Sequence, residues 1–380
     1  MSTLYDLDRP GLAGLLADQV ADLPPYREAQ VWDGLYRQAR LPAEMTDLPR
    51  ELRQRLTEVA PPALSLVSEA VADGGLTVKS LWAGAGDARV ESVLMHYPQR
   101  STVCVSSQAG CAMGCGFCAT GQAGFQRHLG AGEIVEQVMA AVRRARPRRV
   151  GNVVLMGMGE PLANYDEVWR ALRRLHTDVG LSARHLTIST VGLVHGIRRM
   201  AAEPEPVNLA VSLHAARDEL RDQLVPINRR HPLEELLAAC ADYRRAKGRR
   251  LSFEWALIDC VNDTGRDATE LAAVARPLGA HVNLIPLNPT PGWPTRGTAA
   301  PRVAAFAHDL QRLGVNATVR RNRGTDIAAA CGQLAAQRPV ALELRPRRTG
   351  GRPGDAAVAH PAGIAGPVEP VRFGPEVLPH

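Results

Sequence analysis

Between Thr102 and Arg320 the sequence alternates short apolar runs with longer amphipathic ones, and this alternation restricts the possible folds most strongly. The runs that predict strands are TVCVSS (102–107), VVLM (153–156), LTIST (186–190), LAVSL (209–213), LSFEWAL (251–257), VNLIP (282–286) and ATVR (317–320). Helical patterns separate most of them; in the first, Ile134, Val135, Val138 and Met139 share one face. Repeated strand–helix alternation favours parallel strands joined by right-handed crossovers. We therefore expect an α/β fold with a parallel sheet or barrel.

The flanking segments have different patterns and divide the chain into four regions. Residues 1–75 are predicted to be a helical domain, because residues 27–40 and 48–59 carry apolar side chains at helical spacing between two Pro-Pro pairs. Residues 76–100 contain two strand-like runs and predict a β-hairpin extension. Residues 101–336 contain the alternating region. Residues 337–380 are rich in Pro, Gly, Ala and Arg without any period, which is typical of a disordered tail.

Composition excludes several classes of protein. No run of about 18 apolar residues is present, which argues against a membrane protein, and the first residues do not have the pattern of an export signal. We therefore expect a cytoplasmic protein, in which seven cysteines indicate metal-binding or catalytic thiols rather than disulfides. The net charge of +6 is compatible with a polyanionic partner. Only Lys79 and Lys247 are lysines, so nearly all of this charge is carried by arginine.

The strongest chemical signal is a C-x3-C-x2-C motif formed by Cys111, Cys115 and Cys118 directly after a predicted strand. Three thiolates at this spacing can bind three irons of a [4Fe-4S] cluster and leave the fourth iron open to the amino and carboxylate groups of S-adenosylmethionine (SAM). The alternative is a structural zinc site in which His128 completes a Cys3His set. The second pair of ligands that normally accompanies such a site is missing from the sequence.

Small polar residues follow four of the predicted strands. They are Gly157-Met158-Gly159-Glu160, Ser189-Thr190, Ser212-Leu213-His214 and Asn288. In α/β barrels the functional groups gather at the carboxyl ends of the strands. We therefore expect these residues to form one site with the cysteine loop, with Glu160 as an acceptor for an ammonium group.

Six segments, CAMGCGFCATGQAGF, GMGEP, SLHA, PIN, NLIPLNP and RGTDIAAACGQL, together resemble the RlmN/Cfr family of radical SAM RNA methyltransferases over about residues 5–336. The resemblance implies a partial (β/α)6-type radical SAM barrel with a small amino-terminal helical domain and a short β extension. It assigns the cluster to Cys111, Cys115 and Cys118. It also assigns SAM binding to Gly159, Glu160, Ser189, Ser212, Leu213, His214 and Asn288, and catalysis to Cys331, Cys104 and Glu91.

The resemblance also implies a reaction that uses two molecules of SAM. One methylates Cys331; the other yields a radical that activates this methyl group for addition to an adenine ring carbon. Glu91 then accepts the ring proton, and Cys104 releases the product by forming a disulfide with Cys331. The expected products are adenosines methylated at C2 in the peptidyl transferase region of 23S rRNA and in tRNA anticodon loops. Cfr-like methylation at C8 is the alternative; the complete amino-terminal domain and the RVESV segment favour C2.

Further expectations concern partners. We expect the protein to bind 23S rRNA and tRNA through the amino-terminal domain and through Arg320, Arg321 and Arg323. An electron donor such as flavodoxin or ferredoxin is expected as a second partner. We expect no membrane association and a monomeric state. Taken without the resemblance, Cys104 is typical of a buried apolar residue, Cys331 of helix packing, and Glu91 of a solvent-facing strand residue. A radical SAM enzyme acting on small metabolites is a further alternative, and Cys240 and Cys260 are expected to be structural.

Overall fold

The computed structural model describes residues 3–20, 23–290 and 292–335, all within one compact unit that spans Met1–Pro339. The disordered tail predicted at 337–380 lies outside the described residues. Among the helices of the described part, none has the length and apolarity needed to cross a membrane.

The amino-terminal region begins with three helices, α1 (Arg9–Gln19), α2 (Tyr26–Tyr36) and α3 (Arg50–Val59). Helix α1 starts where the Asp8 carboxylate accepts a hydrogen bond from the Gly11 N–H at 2.8 Å. The predicted face of α2 is buried, including Trp32 and Tyr36. The Asp6 carboxylate accepts a 2.7 Å hydrogen bond from the Gly132 N–H, which joins this region to the start of a helix in the alternating region.

Three antiparallel strands follow, and one of them was not predicted. They are β1 (Ser65–Ala72), β2 (Thr77–Ala83) and β3 (Arg89–His96). The expectation that residues 1–75 are helical is therefore wrong for Ser65–Ala72, which pairs with β2 along its whole length. Most side chains of β1 are exposed or half-buried, so the segment lacks the apolar alternation that identifies a strand. Its backbone pairing with β2 in a hairpin, rather than an apolar pattern of its own, determines its conformation.

The alternating region supplies the remaining strands, which are β4 (Ser101–Cys104), β5 (Gln108–Gly110), β6 (Phe125–His128), β7 (Val150–Leu155), β8 (Leu186–Thr190), β9 (Asn208–Ser212), β10 (Leu251–Leu257), β11 (His281–Pro286) and β12 (Ala317–Val319). Its helices are α4 (Ala119–Gln122), α5 (Ala131–Ala145), α6 (Tyr165–Thr177), α7 (Val194–Ala202), α8 (Asp218–Leu224), α9 (Leu233–Lys247), α10 (Gly265–Ala275) and α11 (Ala300–Arg312). All seven predicted strands are present, so the predicted alternation is confirmed.

Ten strands form one sheet in the order β1-β2-β3-β4-β7-β8-β9-β10-β11-β12, with β1 and β12 at its two edges. The pairs from β1 to β4 are antiparallel, and those from β4 to β12 are parallel. The sheet is thus mixed and open rather than a closed barrel. Since seven adjacent strands run in one direction, their carboxyl ends lie along a common edge, here called the catalytic edge.

The two faces of the parallel strands differ in polarity. In β8, Leu186 and Ile188 are fully buried in the main hydrophobic core, whereas the alternate residues Thr187 and Ser189 are half-buried. In β10, Phe253 and Trp255 belong to the core, and Glu254 lies on the opposite face, in register with Ser212 of β9 and Asn283 of β11. The core therefore fixes the strand register, and the register places polar side chains on the other face.

Candidate active site

The cysteine motif lies in a tight loop between β5 and α4. The loop is closed by the Cys111 N–H, which donates to the Gly124 carbonyl at 2.8 Å, and by the Cys118 N–H, which donates to the Cys115 carbonyl at 3.1 Å. Gly116 packs against an indole: a Cβ atom there would lie 2.3 Å from a ring atom of Trp293. The glycine between the second and third cysteines therefore allows the loop to wind closely.

The thiols of this loop are free, and two of them are in an environment that disfavours thiolates. Burial raises the pKa of Cys111 to about 12 and also raises that of Cys115, and each thiol senses the charge of Cys118. A buried thiolate needs a nearby cation to be stable. The irons of a [4Fe-4S] cluster would supply this charge, so the three residues fit the group that their spacing predicts.

A zinc site fits less well. In the described part of the chain, no three His, Cys, Asp or Glu side chains are grouped as ligands of a single metal ion. The Nδ1 atom of His128, the proposed fourth ligand, lies 3.0 Å from the side-chain nitrogen of Gln108. A tetrahedral zinc site requires its ligands to converge on one ion, whereas cluster ligands each bind a different iron.

Glu160 is buried at the catalytic edge, in the loop after β7. Its two carboxylate oxygens accept hydrogen bonds from the backbone N–H groups of Leu162 at 3.0 Å and Val191 at 2.9 Å. Burial raises the pKa of Glu160 to about 7 despite these bonds. Each carboxylate oxygen can accept a second hydrogen bond, so the residue retains capacity for an ammonium group while it joins the loops after β7 and β8.

The other predicted SAM-binding residues on β8 and β9 also lie at this edge. Ser189 and Ser212 are half-buried near the ends of their strands, and Leu213 is fully buried. His214 has a left-handed backbone conformation (φ 59°), and its Nδ1 atom accepts a hydrogen bond from the Ala256 N–H at 3.0 Å. Burial, together with the charge of Arg221, lowers the pKa of His214 to about 3. The ring is therefore neutral, and its Nε2 atom carries the proton.

Sequence reasoning missed Arg221, a fully buried arginine in α8. Its guanidinium donates to the carbonyls of Val191 at 2.6 Å, Leu213 at 3.1 Å and Ser212 at 3.3 Å, and to the side-chain oxygen of Asn228 at 2.7 Å. Burial lowers its pKa to about 10, and the nearby Cys115 counteracts this effect. One cation therefore connects the loops after β8 and β9 and lies near the cysteine loop. The chain contains many arginines, and the sequence signal that could have singled out Arg221 is the neighbouring PIN segment (226–228).

The segment that carries Cys331 packs against the cysteine loop. The Ala119 N–H donates to the Gly332 carbonyl at 2.8 Å, and the Thr120 hydroxyl donates to the Leu334 carbonyl at 2.5 Å. The side chain of Asn288 donates to the Cys331 carbonyl at 3.1 Å. Cys331 is exposed and lies in a turn. The helix-packing interpretation of this cysteine is therefore wrong.

Cys104 and Cys331, 227 positions apart in sequence, belong to one electrostatic cluster with Arg320. Burial raises the pKa of Cys104 to about 12, and the charge of Cys331 adds to this effect. The negative charge of Cys331 is the main cause that raises the pKa of Arg320. Arg320 is also 3.5 Å from a carboxylate oxygen of the buried Glu254. The site thus contains two thiols and one anchored cation.

Glu91 does not face solvent, which corrects that interpretation. Its side chain is 1% exposed; one carboxylate oxygen lies 2.8 Å from the Lys79 ammonium, and the other accepts a hydrogen bond from the Ala335 N–H at 3.0 Å. Glu91 therefore contacts the segment that carries Cys331. A buried carboxylate held by a lysine is compatible with a proton acceptor.

The three arginines predicted to contact RNA differ in their surroundings. Arg320 pairs with Glu254, and Arg323 donates to the His96 carbonyl at 2.7 Å and stacks on Tyr97. Only Arg321 is exposed. Cys240 is fully buried in α9, where it interacts electrostatically with Arg221, and Cys260 is exposed beside Asp259.

Comparison with known proteins identifies the family. Residues 105–271 match the family model of the Radical SAM superfamily. The chain is 56% identical over 313 residues to a Parafrankia protein named "Probable dual-specificity RNA methyltransferase RlmN", covering 78% of this chain and 81% of that protein. The chain belongs to the RlmN family of radical SAM RNA methyltransferases. An RlmN relative from Chloroflexus aurantiacus is 48% identical, with 89% and 94% of the two chains covered.

A solved structure agrees with this family assignment. The crystal structure of a radical SAM methyltransferase from Sphaerobacter thermophilus superposes with a TM-score of 0.85 at 49% identity, covering 89% of this chain and 100% of that one. The predicted α/β radical SAM fold and the predicted methyltransferase activity of the RlmN family are thereby confirmed.

Glu160 gives a pH-dependent prediction. Since burial raises its pKa from the ordinary 4.5 to about 7 in the folded protein, the stability it contributes is fully present below about pH 4.5 and is lost as the pH rises through about 7. Relative to Glu160→Gln, the cluster-free wild type should lose about 2–3 kcal/mol of unfolding free energy between pH 5 and pH 8. Urea denaturation measures this. The exposed Glu234→Gln is the control, and parallel curves for wild type and Glu160→Gln would refute the assignment.

Arg221 gives a second prediction. Replacement by Met removes the donor to the Val191 and Ser212 carbonyls and to the Asn228 side chain, each costing about 1–3 kcal/mol, while the Leu213 carbonyl keeps the bond from the Ala215 N–H. We expect Arg221→Met to lower the free energy of unfolding by about 3–5 kcal/mol, measured by urea denaturation. Arg198→Met, on the exposed face of α7, should change it by less than about 0.5 kcal/mol. Equal stabilities of the two variants would contradict the connecting role.

Proposed function

We propose that the chain methylates C2 of an adenosine in the peptidyl transferase region of 23S rRNA, and of an adenosine in tRNA anticodon loops, through a methylated Cys331. The observation that carries this proposal is the packing of the Cys331 segment on the cysteine loop, through the 2.8 Å bond between Ala119 and Gly332. A protein thiol that carries a methyl group to a radical centre has to lie beside that centre, and the contact between the two segments supports this role for Cys331.

The remaining site residues divide into two binding groups. Cys111, Cys115 and Cys118 would hold the [4Fe-4S] cluster; Gly159, Glu160, Ser189, Ser212, Leu213, His214 and Asn288 would hold SAM. When bound, the cluster and SAM supply a carbon radical by reductive cleavage of SAM. Electrons would come from a small donor such as flavodoxin or ferredoxin. We expect the enzyme to act as a monomer in the cytoplasm, with its amino-terminal domain contributing to RNA binding.

Cys331 acts first as a nucleophile. Its sulfur attacks the methyl carbon of SAM, the carbon–sulfonium bond breaks, and the thioether forms. The exposed turn of Cys331 leaves the sulfur accessible, and the Arg320 guanidinium supplies a positive charge near it. A nearby cation stabilises a thiolate, which is the reactive form.

Cys104 and Glu91 complete the reaction after the methyl carbon has joined the ring. The ring adduct is a radical, so it would first give up one electron to the oxidised cluster; Glu91 then takes the proton from the ring carbon, which restores the aromatic system. The sulfur of Cys104 then attacks the sulfur of Cys331; an S–S bond forms, the bond between Cys331 sulfur and the methylene carbon breaks, and that carbon gains a proton. Because Cys104 is buried as a thiol, it has to lose its proton before this step.

Nucleoside analysis tests the proposal. Total RNA from a strain without the gene should lack 2-methyladenosine, and a plasmid copy should restore it. Persistence of 2-methyladenosine in the deletion strain would refute the C2 assignment. Loss of 8-methyladenosine instead would identify the C8 reaction.

Two cysteine variants separate the proposed roles. Cys331→Ala should abolish methylation, because the methyl carrier is missing, and should retain cluster absorbance and iron content. Cys104→Ala should be methylated at Cys331 but accumulate protein covalently bound to RNA, visible as a slow band on denaturing gels. The exposed Cys260→Ala is the control and should behave as wild type. Multiple turnovers by Cys331→Ala would exclude its role as carrier.

A further inference from the structure

The edge of the sheet opposite the catalytic edge carries a group of exposed arginines. The parallel strands β4, β7, β8 and β10 begin there, and an arginine lies in the segment just before each of them. These residues are Arg100 before β4, Arg148 and Arg149 before β7, Arg184 before β8 and Arg250 before β10. We call this set the basic rim.

The basic rim is not neutralised within the protein. In the described part of the chain, none of the five arginines forms an ion pair, and none of their side chains donates a hydrogen bond. Four exposed arginines on the covering helices, by contrast, are neutralised by ion pairs. These are Arg170, Arg199, Arg245 and Arg266, which pair with Glu167, Asp166, Asp242 and Glu270.

The acidic side chains near the rim do not offset its charge. Glu203 and Glu205, in the loop before β9, are paired with Arg173, and Asp178 is paired with Arg174. Two histidines at the same edge are affected by the rim. Burial and the charge of Arg148 lower the pKa of His96, and burial and the charge of Arg250 lower that of His281.

The strand order sets the size of the rim. β4, β7, β8, β9 and β10 are consecutive neighbours, and neighbouring strands lie about 4.8 Å apart, so the rim spans roughly 19 Å. A row of exposed, unpaired guanidinium groups over this length matches the closely spaced phosphates of a nucleic acid. Arg100 and Arg323 both stack on Tyr97 beside the rim, which adds an aromatic surface.

We propose that the basic rim is a second RNA-contacting surface, which binds backbone phosphates of a large RNA whose target nucleotide occupies the catalytic edge. The proposal rests on the proposed function, since it assumes an RNA substrate. The seven residues of β10 place the two edges roughly 20 Å apart. A stem-loop of only a few base pairs bound at the active site is too short to span both edges, whereas a folded RNA of several hundred nucleotides can contact both.

The test compares two full-length variants with the same net charge. The rim variant is Arg100→Gln, Arg148→Gln, Arg184→Gln and Arg250→Gln; the control is Arg170→Gln, Arg199→Gln, Arg245→Gln and Arg266→Gln. Each loses four positive charges, so the net charge falls from +6 to +2 in both. Affinity for a 23S rRNA transcript of several hundred nucleotides and for a short stem-loop is measured by filter binding from about 50 to about 200 mM salt.

For the long transcript, we expect the rim variant to bind about tenfold or more weakly than wild type near 100 mM salt. The slope of log affinity against log salt should fall by about 3–4, as for the loss of four phosphate contacts. The control variant should match wild type, and both variants should bind and methylate the short stem-loop normally. Equal losses in both variants would show a net-charge effect and overturn the proposal.

Two other outcomes are also decisive. Unchanged RNA affinity of the rim variant, with slower turnover on an acidic electron-donor protein, would overturn the proposal and assign the rim to that donor. Absence of turnover by wild type on every RNA would reject the proposed function, and the binding comparison would still decide whether the rim contacts RNA.

Discussion

The buried guanidinium of Arg221 is the interaction on which the candidate site depends. Its bonds to the carbonyls of Val191, Leu213 and Ser212 join the ends of two strands, and Asn228 holds it from the other side. Without this cation, the carbonyls of Val191 and Ser212 would lose a donor, and the Leu213 carbonyl would keep only the bond from the Ala215 N–H. The SAM-binding residues predicted on β8 and β9 owe their common position to this interaction.

The site also depends on contacts between segments that are distant in sequence. The segment around Cys331 forms three such contacts. Gly332 bonds to the residue that follows the cysteine loop, the Cys331 carbonyl accepts a bond from Asn288, and the Ala335 N–H donates to Glu91. Glu91 itself is held by Lys79 of the neighbouring strand β2. The antiparallel extension therefore takes part in building the site, because it positions the buried carboxylate against the segment that carries the thiol.

The parallel strands and the cysteine loop could be predicted from the sequence because their signals are local. Apolar runs of five to seven residues identify β8 and β10, and a short spacing identifies the three cysteines. The strand at Ser65–Ala72 could not be predicted, since its conformation depends on pairing with β2. The burial of Arg221 and Glu254 could not be predicted either. Whether a charged side chain is buried depends on tertiary packing, and the sequence pattern around it does not indicate this.

The origin of the transferred methyl group tests the account most directly. Purified enzyme is supplied with SAM that carries a fully deuterated methyl group, and the methylated adenosine and the 5′-deoxyadenosine are analysed by mass spectrometry. If the group reacts as a radical on Cys331, the product methyl retains two of its three deuterium atoms and the third appears in 5′-deoxyadenosine. A product methyl that retains all three would show direct transfer and contradict the role of Cys331.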